Sequence, residues 1–232
     1  RFVVQKSVII QLKMQLHLMI LHNCMKMKNK TFLLLFLLFQ FSFSQNVKLK
    51  TGDILFQSMN CGPLCEAINE VTEGYQGKDF SHLGMAYIKN DSIFVIEAAG
   101  KAVKITPYET FKTYTKEEMF VGRLKRKYRK YIPEAITFSL QQVGVPYDDE
   151  YLYNNGKYYC SELIYDAFLH SYKKPLFDLF PMTFKSPKSN QYFEVWADYY
   201  EKLKMEIPEG QLGCNPGGIS TSDKLNIIGT IE

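Results

Sequence analysis

The spacing of apolar residues changes several times along this chain, and each change predicts an element. Two β-rich runs, SHLGMAYI (81–88) and SIFVIEAA (92–99), are joined by the turn signal KND and predict a β-hairpin. TGDILF (51–56) reads as a turn into a short strand, and VKITP (103–107) and MFVGRLK (119–125) as further strands, the first stopped by Pro107. A helical period appears at GPLCEAINEVT (62–72), where Leu64, Ala67, Ile68 and Val71 share a face. It returns after Pro133, where Ala135, Ile136, Ser139, Leu140 and Val143 mark an amphipathic helix closed by Gly144. An extended loop, VPYDDEYLYNNGKYY, leads to a helix that Cys160 opens and that Leu163, Ile164, Ala167 and Phe168 bury. SNQYFEVWADYYEKLKM is an aromatic helix, and the Gly- and Pro-rich tail from Pro208 reads as a surface wrap. A small antiparallel sheet with helices grouped around it, the α+β class, accommodates this order without parallel crossovers.

Composition alters the picture at the N-terminus. Residues 1–44 carry six basic residues and no acidic one, which leaves 22 basic against 24 acidic residues from Gln45 onward, a net of −2. The formal +4 of the whole chain therefore does not describe a nucleic-acid binder. From Met27, MKNKTFLLLFLLFQFSFSQ combines two lysines, an apolar run and small residues Ser42 and Ser44 before Gln45, the grammar of a secretory signal peptide over 27–44. The run is too short to span a bilayer, so export with cleavage near Ser44/Gln45 to a secreted or periplasmic location is expected. Residues 1–26 read as upstream flanking sequence and 45–232 as a single domain.

The part after the signal keeps Cys61, Cys65, Cys160 and Cys214. In an oxidising compartment Cys61 could pair with Cys65, or either of them with Cys214; spacing does not choose. Cys160 sits in the first turn of its helix, where unpaired amides and the positive end of the dipole favour a thiolate, while position alone equally fits a buried space-filler, the commoner role of a free cysteine. Only two histidines follow the signal, and His170 lies at the far end of the Cys160 helix, roughly 15 Å away at the helical rise. An activating imidazole must then be His82. If the hairpin turn centres between Asn90 and Asp91, Gly84 faces Glu97, and His82 and Glu97 become diagonal neighbours on one face. A turn one residue longer or shorter would break that pairing.

Further along, the run Lys125–Lys130 reads as a solvated edge and DDE (148–150) as a loop acid cluster, since it lacks the glycine and alternating oxygens of a calcium loop. Phe193, Trp196 and Tyr200 share a helix face and read as core. A zinc site built from His82, Glu97 and Cys160 would lack a second histidine and paired-cysteine spacing, so no metal or other cofactor is expected.

GDILF, SHLGMAY, VIEAAG, VGVPYDDEYL, YYCSEL, PLFDLFPMTF and IPEGQLGCNPGGI, in that order, resemble the circularly permuted papain-like amidases of the NlpC superfamily, the YaeF/YiiX group. The likeness spans nearly everything from Thr51 onward, and histidine preceding cysteine is the mark of the permuted branch. It implies a papain-like α+β fold with Cys160 as nucleophile and His82 as general base. It further implies Glu97 as the residue orienting His82, and Tyr147 as an aromatic hydroxyl beside the thiol. The implied activity is hydrolysis of an amide substrate, a cell-wall stem peptide or an N-acyl lipid, through a thioester. A binding module on the same fold and a thiol acyltransferase are the alternatives. The cysteine pair at 61 and 65 lies outside that pattern.

Overall fold

The computed structural model describes residues 47–59 and 61–231. The flanking segment and the signal peptide read from the sequence lie outside the described residues. Among the described residues there are eight strands: β1 (Ile54–Gln57), β2 (His82–Lys89), β3 (Ser92–Ala99), β4 (Ala102–Pro107), β5 (Met119–Leu124), β6 (Phe180–Pro181), β7 (Leu212–Gly213) and β8 (Leu225–Ile231). Six of them form one sheet in the order β4-β3-β2-β1-β5-β8, with every neighbour antiparallel. The helices are α1 (Pro63–Val71), α2 (Tyr108–Lys112), α3 (Ile132–Gln141), α4 (Cys160–Tyr172), α5 (Glu194–Leu203) and α6 (Pro216–Ser220). This is the α+β arrangement expected from the pattern.

Alternation along the strands gives the sheet two apolar faces. Ile54, Phe56, Leu83, Met85 and Ile96 face the main core, where Leu163, Ile164 and Phe168 anchor α4. Each of those three helix residues is fully buried and contributes about 1.5–3 kcal/mol. Leu55, Val95 and Val121 point the other way, onto Leu49 and Phe111 of α2. A third cluster joins α1 to α5 through Ala67, Phe184, Trp196 and Tyr200. Arg123 on β5 donates from Nε and Nη2 to Asp53 at 2.7 Å each, fastening the chain just before β1 to its neighbour strand.

The hairpin turn sits where the pattern put it. Asn90 and Asp91 both take positive φ, 50° and 59°, the requirement of a two-residue turn whose twist matches the strands. Met85 pairs with Ile96 and Lys89 with Ser92, so the parity expected for His82 and Glu97 holds.

Two expectations need correction. The segment after Pro208 is not a surface wrap throughout, because Leu225–Ile231 adds β8 to the sheet beside β5. Before it, Asn215 caps the short α6 by accepting from the Gly218 amide at 2.7 Å. The aromatic helix is also shorter than its pattern, starting at Glu194. Among the four cysteines, Cys61 and Cys65 are bonded across the start of α1, while Cys160 and Cys214 are free and buried.

Candidate active site

His82 is the first residue of β2 and Cys160 the first of α4, and the fold brings these two starts together. The His82 Nε2 and Glu97 Oε2 are 2.6 Å apart, and Cys160 lies close enough to the imidazole to raise its pKa. Nε2 is taken by the carboxylate, which leaves Nδ1 for the sulfur. All three groups are nearly dry: exposure is 4% for His82, 0% for Glu97 and 6% for Cys160.

Burial alone disfavours the charged imidazole. Hydrogen bonds to Cys160 and Glu97, with the charges of both groups, outweigh it and push the His82 pKa up to about 9. Burial likewise raises a carboxyl, yet the His82 hydrogen bond and charge, aided by Thr106 and Lys104, hold Glu97 below the usual carboxylate range. The physical outcome is a charged imidazolium–carboxylate pair standing against the Cys160 sulfur.

Glu97 is tied down by residues the sequence pattern did not single out. Thr106 Oγ1 donates to Glu97 Oε1 at 2.5 Å, and Tyr114 Oη donates to the same oxygen at 3.2 Å. Lys104 Nζ donates to Tyr114 Oη at 3.1 Å and stands 3.7 Å from Oε1. The β3–β4 register explains this, since Glu97 lies opposite Lys104 and Val95 opposite Thr106, which puts all four on one face. Gly84 opposes Glu97 in the neighbouring pair; a Cβ there would meet Val95 Cγ1 at 2.4 Å, so glycine keeps the strands close under the pair.

At the start of α4 no side chain caps the helix from Tyr159. The first-turn amides therefore lack intrahelical partners beside the sulfur. The turn at Cys214 is stapled to this end: Ser161 Oγ donates to the Cys214 carbonyl at 2.9 Å, and the Cys214 amide donates to Tyr159 Oη at 3.2 Å. Burial pushes the pKa of the Cys214 thiol itself well up.

Cys160 opens onto a cleft of about 150 Å³ walled by Tyr147, Tyr151, Met182, Phe184 and Trp196 among others, with no charged side chain in its lining among the described residues. Tyr147 thus shares the cleft with Cys160, and burial, then the charges of Tyr151 and Cys160, raise its pKa well above the ordinary value. The acid cluster expected at 148–150 turns out to shape this wall. Asp148 is buried and accepts from the amides of Glu150 and Leu152 and from Asn155 Nδ2, at 3.0, 2.8 and 3.0 Å. Trp196, read from its stripe as core, is buried but also faces the cleft. His170 lies elsewhere, stacked on Phe138 and 3.5 Å from Glu134.

Comparison with known proteins bears on the fold and the family. The chain is 28% identical over 192 residues to the uncharacterised protein YiiX of Escherichia coli, an alignment covering 77% of this chain and 85% of that protein. Its fold resembles the crystal structure of the metalloprotein yiiX from another Escherichia coli strain, with a TM-score of 0.64 and 22% identity over 80% of this chain and 98% of that one. Residues 48–229 match the family described as permuted papain-like amidase enzyme, YaeF/YiiX, and the chain belongs to that family.

Proposed function

We propose that the chain is an exported cysteine amidase that hydrolyses the amide of an N-acyl compound through a thioester on Cys160. The observation carrying this reading is the charged His82–Glu97 pair set against the Cys160 sulfur at a helix start, beside a cleft whose lining among the described residues carries no charge. A cell-wall stem peptide carries carboxylates that would find no cation in that lining, whereas an apolar acyl group matches the aromatic and aliphatic walls. The disulfide between Cys61 and Cys65 supports export, since such bonds persist in oxidising compartments.

In this mechanism the thiol proton rests on His82 Nδ1 and Glu97 holds the resulting imidazolium. The thiolate attacks the amide carbonyl, and the developing oxyanion takes hydrogen bonds from the Cys160 amide and Tyr147 Oη. As the tetrahedral adduct collapses, the C–N bond breaks, His82 gives its proton to the departing amine and the acyl group stays on sulfur. The neutral imidazole then takes a proton from water as it attacks the thioester. The carboxylic acid leaves, and the thiol is restored. The fold neighbour is described as a metalloprotein. Among the described residues of this chain, no three His, Cys, Asp or Glu side chains could together hold a metal ion, so the donor set does not fit one and no step runs through it.

Incubation with a panel of N-acyl amides and muropeptides, followed by mass spectrometry, tests the reading. Free fatty acid should appear with the intact protein and not with Cys160→Ala. Cleavage confined to muropeptides would overturn the acyl assignment. An added amine that captures the acyl group in preference to water would identify an acyltransferase. Slow iodoacetamide labelling of Cys160, at the same rate in His82→Ala, would leave only a binding module.

A further inference from the structure

Gln57 ends β1, and its Cα pairs with that of His82 across the antiparallel ladder. Directly opposed residues project from the same face of a sheet with their Cβ atoms about 4.5–5.5 Å apart. The Gln57 side chain therefore flanks His82 on the side away from Glu97, which comes from the strand beyond β2. It is 0% exposed, and neither Oε1 nor Nε2 has a hydrogen-bond partner among the described residues. The Gln57 backbone carbonyl is satisfied, accepting from the Ser81 amide at 3.2 Å, so the orphaned groups belong to the side chain alone.

A buried primary amide without partners is unfavourable, and methionine would fill much the same space without that cost. Such a group beside a reacting pair is accounted for by a partner that exists only during the reaction. Resting on the reading of Cys160 and His82 given above, we infer that Gln57 is a further catalytic residue whose Nε2–H donates to the oxygen of the tetrahedral adduct on Cys160. It joins the Cys160 amide in holding that oxygen. The bond is absent in the free enzyme, so it stabilises the transition state without tightening the ground state.

Octanal tests this without a natural substrate. The Cys160 sulfur adds to the aldehyde carbon to give a tetrahedral hemithioacetal, and the adduct protects the thiol from iodoacetamide. Gln57→Met should fold with an unchanged or higher thermal midpoint and label with iodoacetamide at close to the parent rate. Protection by octanal should weaken by about 10²-fold, the scale of losing one oxyanion donor. Gln57→Asn keeps an amide but loses its reach, and the same loss of protection is expected there should the methionine variant fail to fold. A folded variant protected as well as the parent would overturn the assignment of Gln57 alone. A parent whose Cys160 labels no faster than an ordinary thiol would overturn the underlying reading, and Gln57 with it.

Discussion

Glu97 and Glu162 have the same side chain and the same 0% exposure, yet their carboxyls are displaced in opposite directions. Glu97 reaches an imidazolium, a threonine hydroxyl, a tyrosine hydroxyl and the edge of a lysine, and stays charged. Glu162, two residues beyond Cys160, accepts from the Asn154 amide at 2.8 Å on one oxygen, while the other has no partner among the described residues. Burial, opposed by that amide and reinforced by the charges of Asp166 and Asp148, pushes Glu162 up to about 8. The difference lies in the partners: those on the sheet side of the site favour a charged carboxylate, and burial with few partners on the helix side favours a neutral acid. A neutral Glu162 adds no negative charge beside the sulfur, and its carboxyl ties the 147–158 loop, which carries Tyr147 and Tyr151 at the cleft, to the helix start.

The contrast breaks most completely in His82→Ala. Without the imidazolium, Glu97 loses its main stabilising partner, and its carboxyl should rise above the ordinary range toward the behaviour of Glu162, read by ¹³C NMR titration of labelled glutamate. Iodoacetamide labelling of Cys160 should slow by about 10² to 10⁴ as the base is lost. A Glu97 that stayed depressed in this variant would mean that Thr106 and Lys104, not His82, set its charge.

Glu97→Gln is the next largest change. It removes the negative charge that helps hold the His82 pKa near 9, so the basic limb of kcat/KM should move to lower pH and the rate fall about 10²-fold. Stability follows the same logic. The raised His82 contributes fully below its unfolded value near 6.5, and that contribution is lost as pH rises through about 9. The depressed Glu97 contributes above its unfolded value and is lost as pH falls through its folded one. Thermal midpoints of Glu97→Gln should therefore be flatter than the parent's at both ends, and an unchanged alkaline slope would contradict the pairing.

Glu162→Gln should act in the opposite sense. A carboxyl raised to about 8 keeps its proton in the folded chain while the unfolded chain has already released its own, so the parent loses stability as pH rises from about 4.5 to 8. The amide mimics the protonated acid and can still accept from Asn154. Denaturant titrations should find the variant within about 1 kcal/mol of the parent near pH 5 and more stable than it near pH 8. Equal pH slopes in the two proteins would show that Glu162 is ionised in the folded state.

How much of this was legible beforehand depended on sequence distance. The His82–Glu97 juxtaposition follows from one local turn, because Asn90 and Asp91 fix the parity of a hairpin whose strands are adjacent in the chain. Cys160 was legible as the opening of a helix, and the ordered motifs carried the family. Thr106 and Tyr114 were not, because one depends on the register of β4 and the other on a loop beyond α2, and neither leaves a periodic trace. Gln57 is harder still. Its pairing with His82 spans 25 residues of chain, and its want of a partner is a property of three-dimensional packing. The stripe through Trp196 identified a buried face without saying that part of it borders a cleft, and the Gly- and Pro-rich tail concealed β8, whose Ile227–Ile228 pair and Gly229 break the apolar alternation of a strand.

Thr106→Val is the mildest change and tests whether Glu97 is held by one bond or by several. Valine keeps the β-branched shape a strand favours while deleting the hydroxyl that donates to Oε1. That oxygen still accepts from Tyr114 and lies near Lys104, so the carboxylate is not orphaned. The lost interaction is a hydrogen bond to a charged group, about 1.5–3 kcal/mol in stability. Its effect on His82 is indirect, through a carboxylate that keeps both its charge and its 2.6 Å contact. The rate should fall less than about 10-fold and the basic limb shift by under about one pH unit, each well short of Glu97→Gln. A loss as large as that of Glu97→Gln would instead assign the orientation of Glu97 to the single threonine hydroxyl, and Tyr114 and Lys104 would then be bystanders.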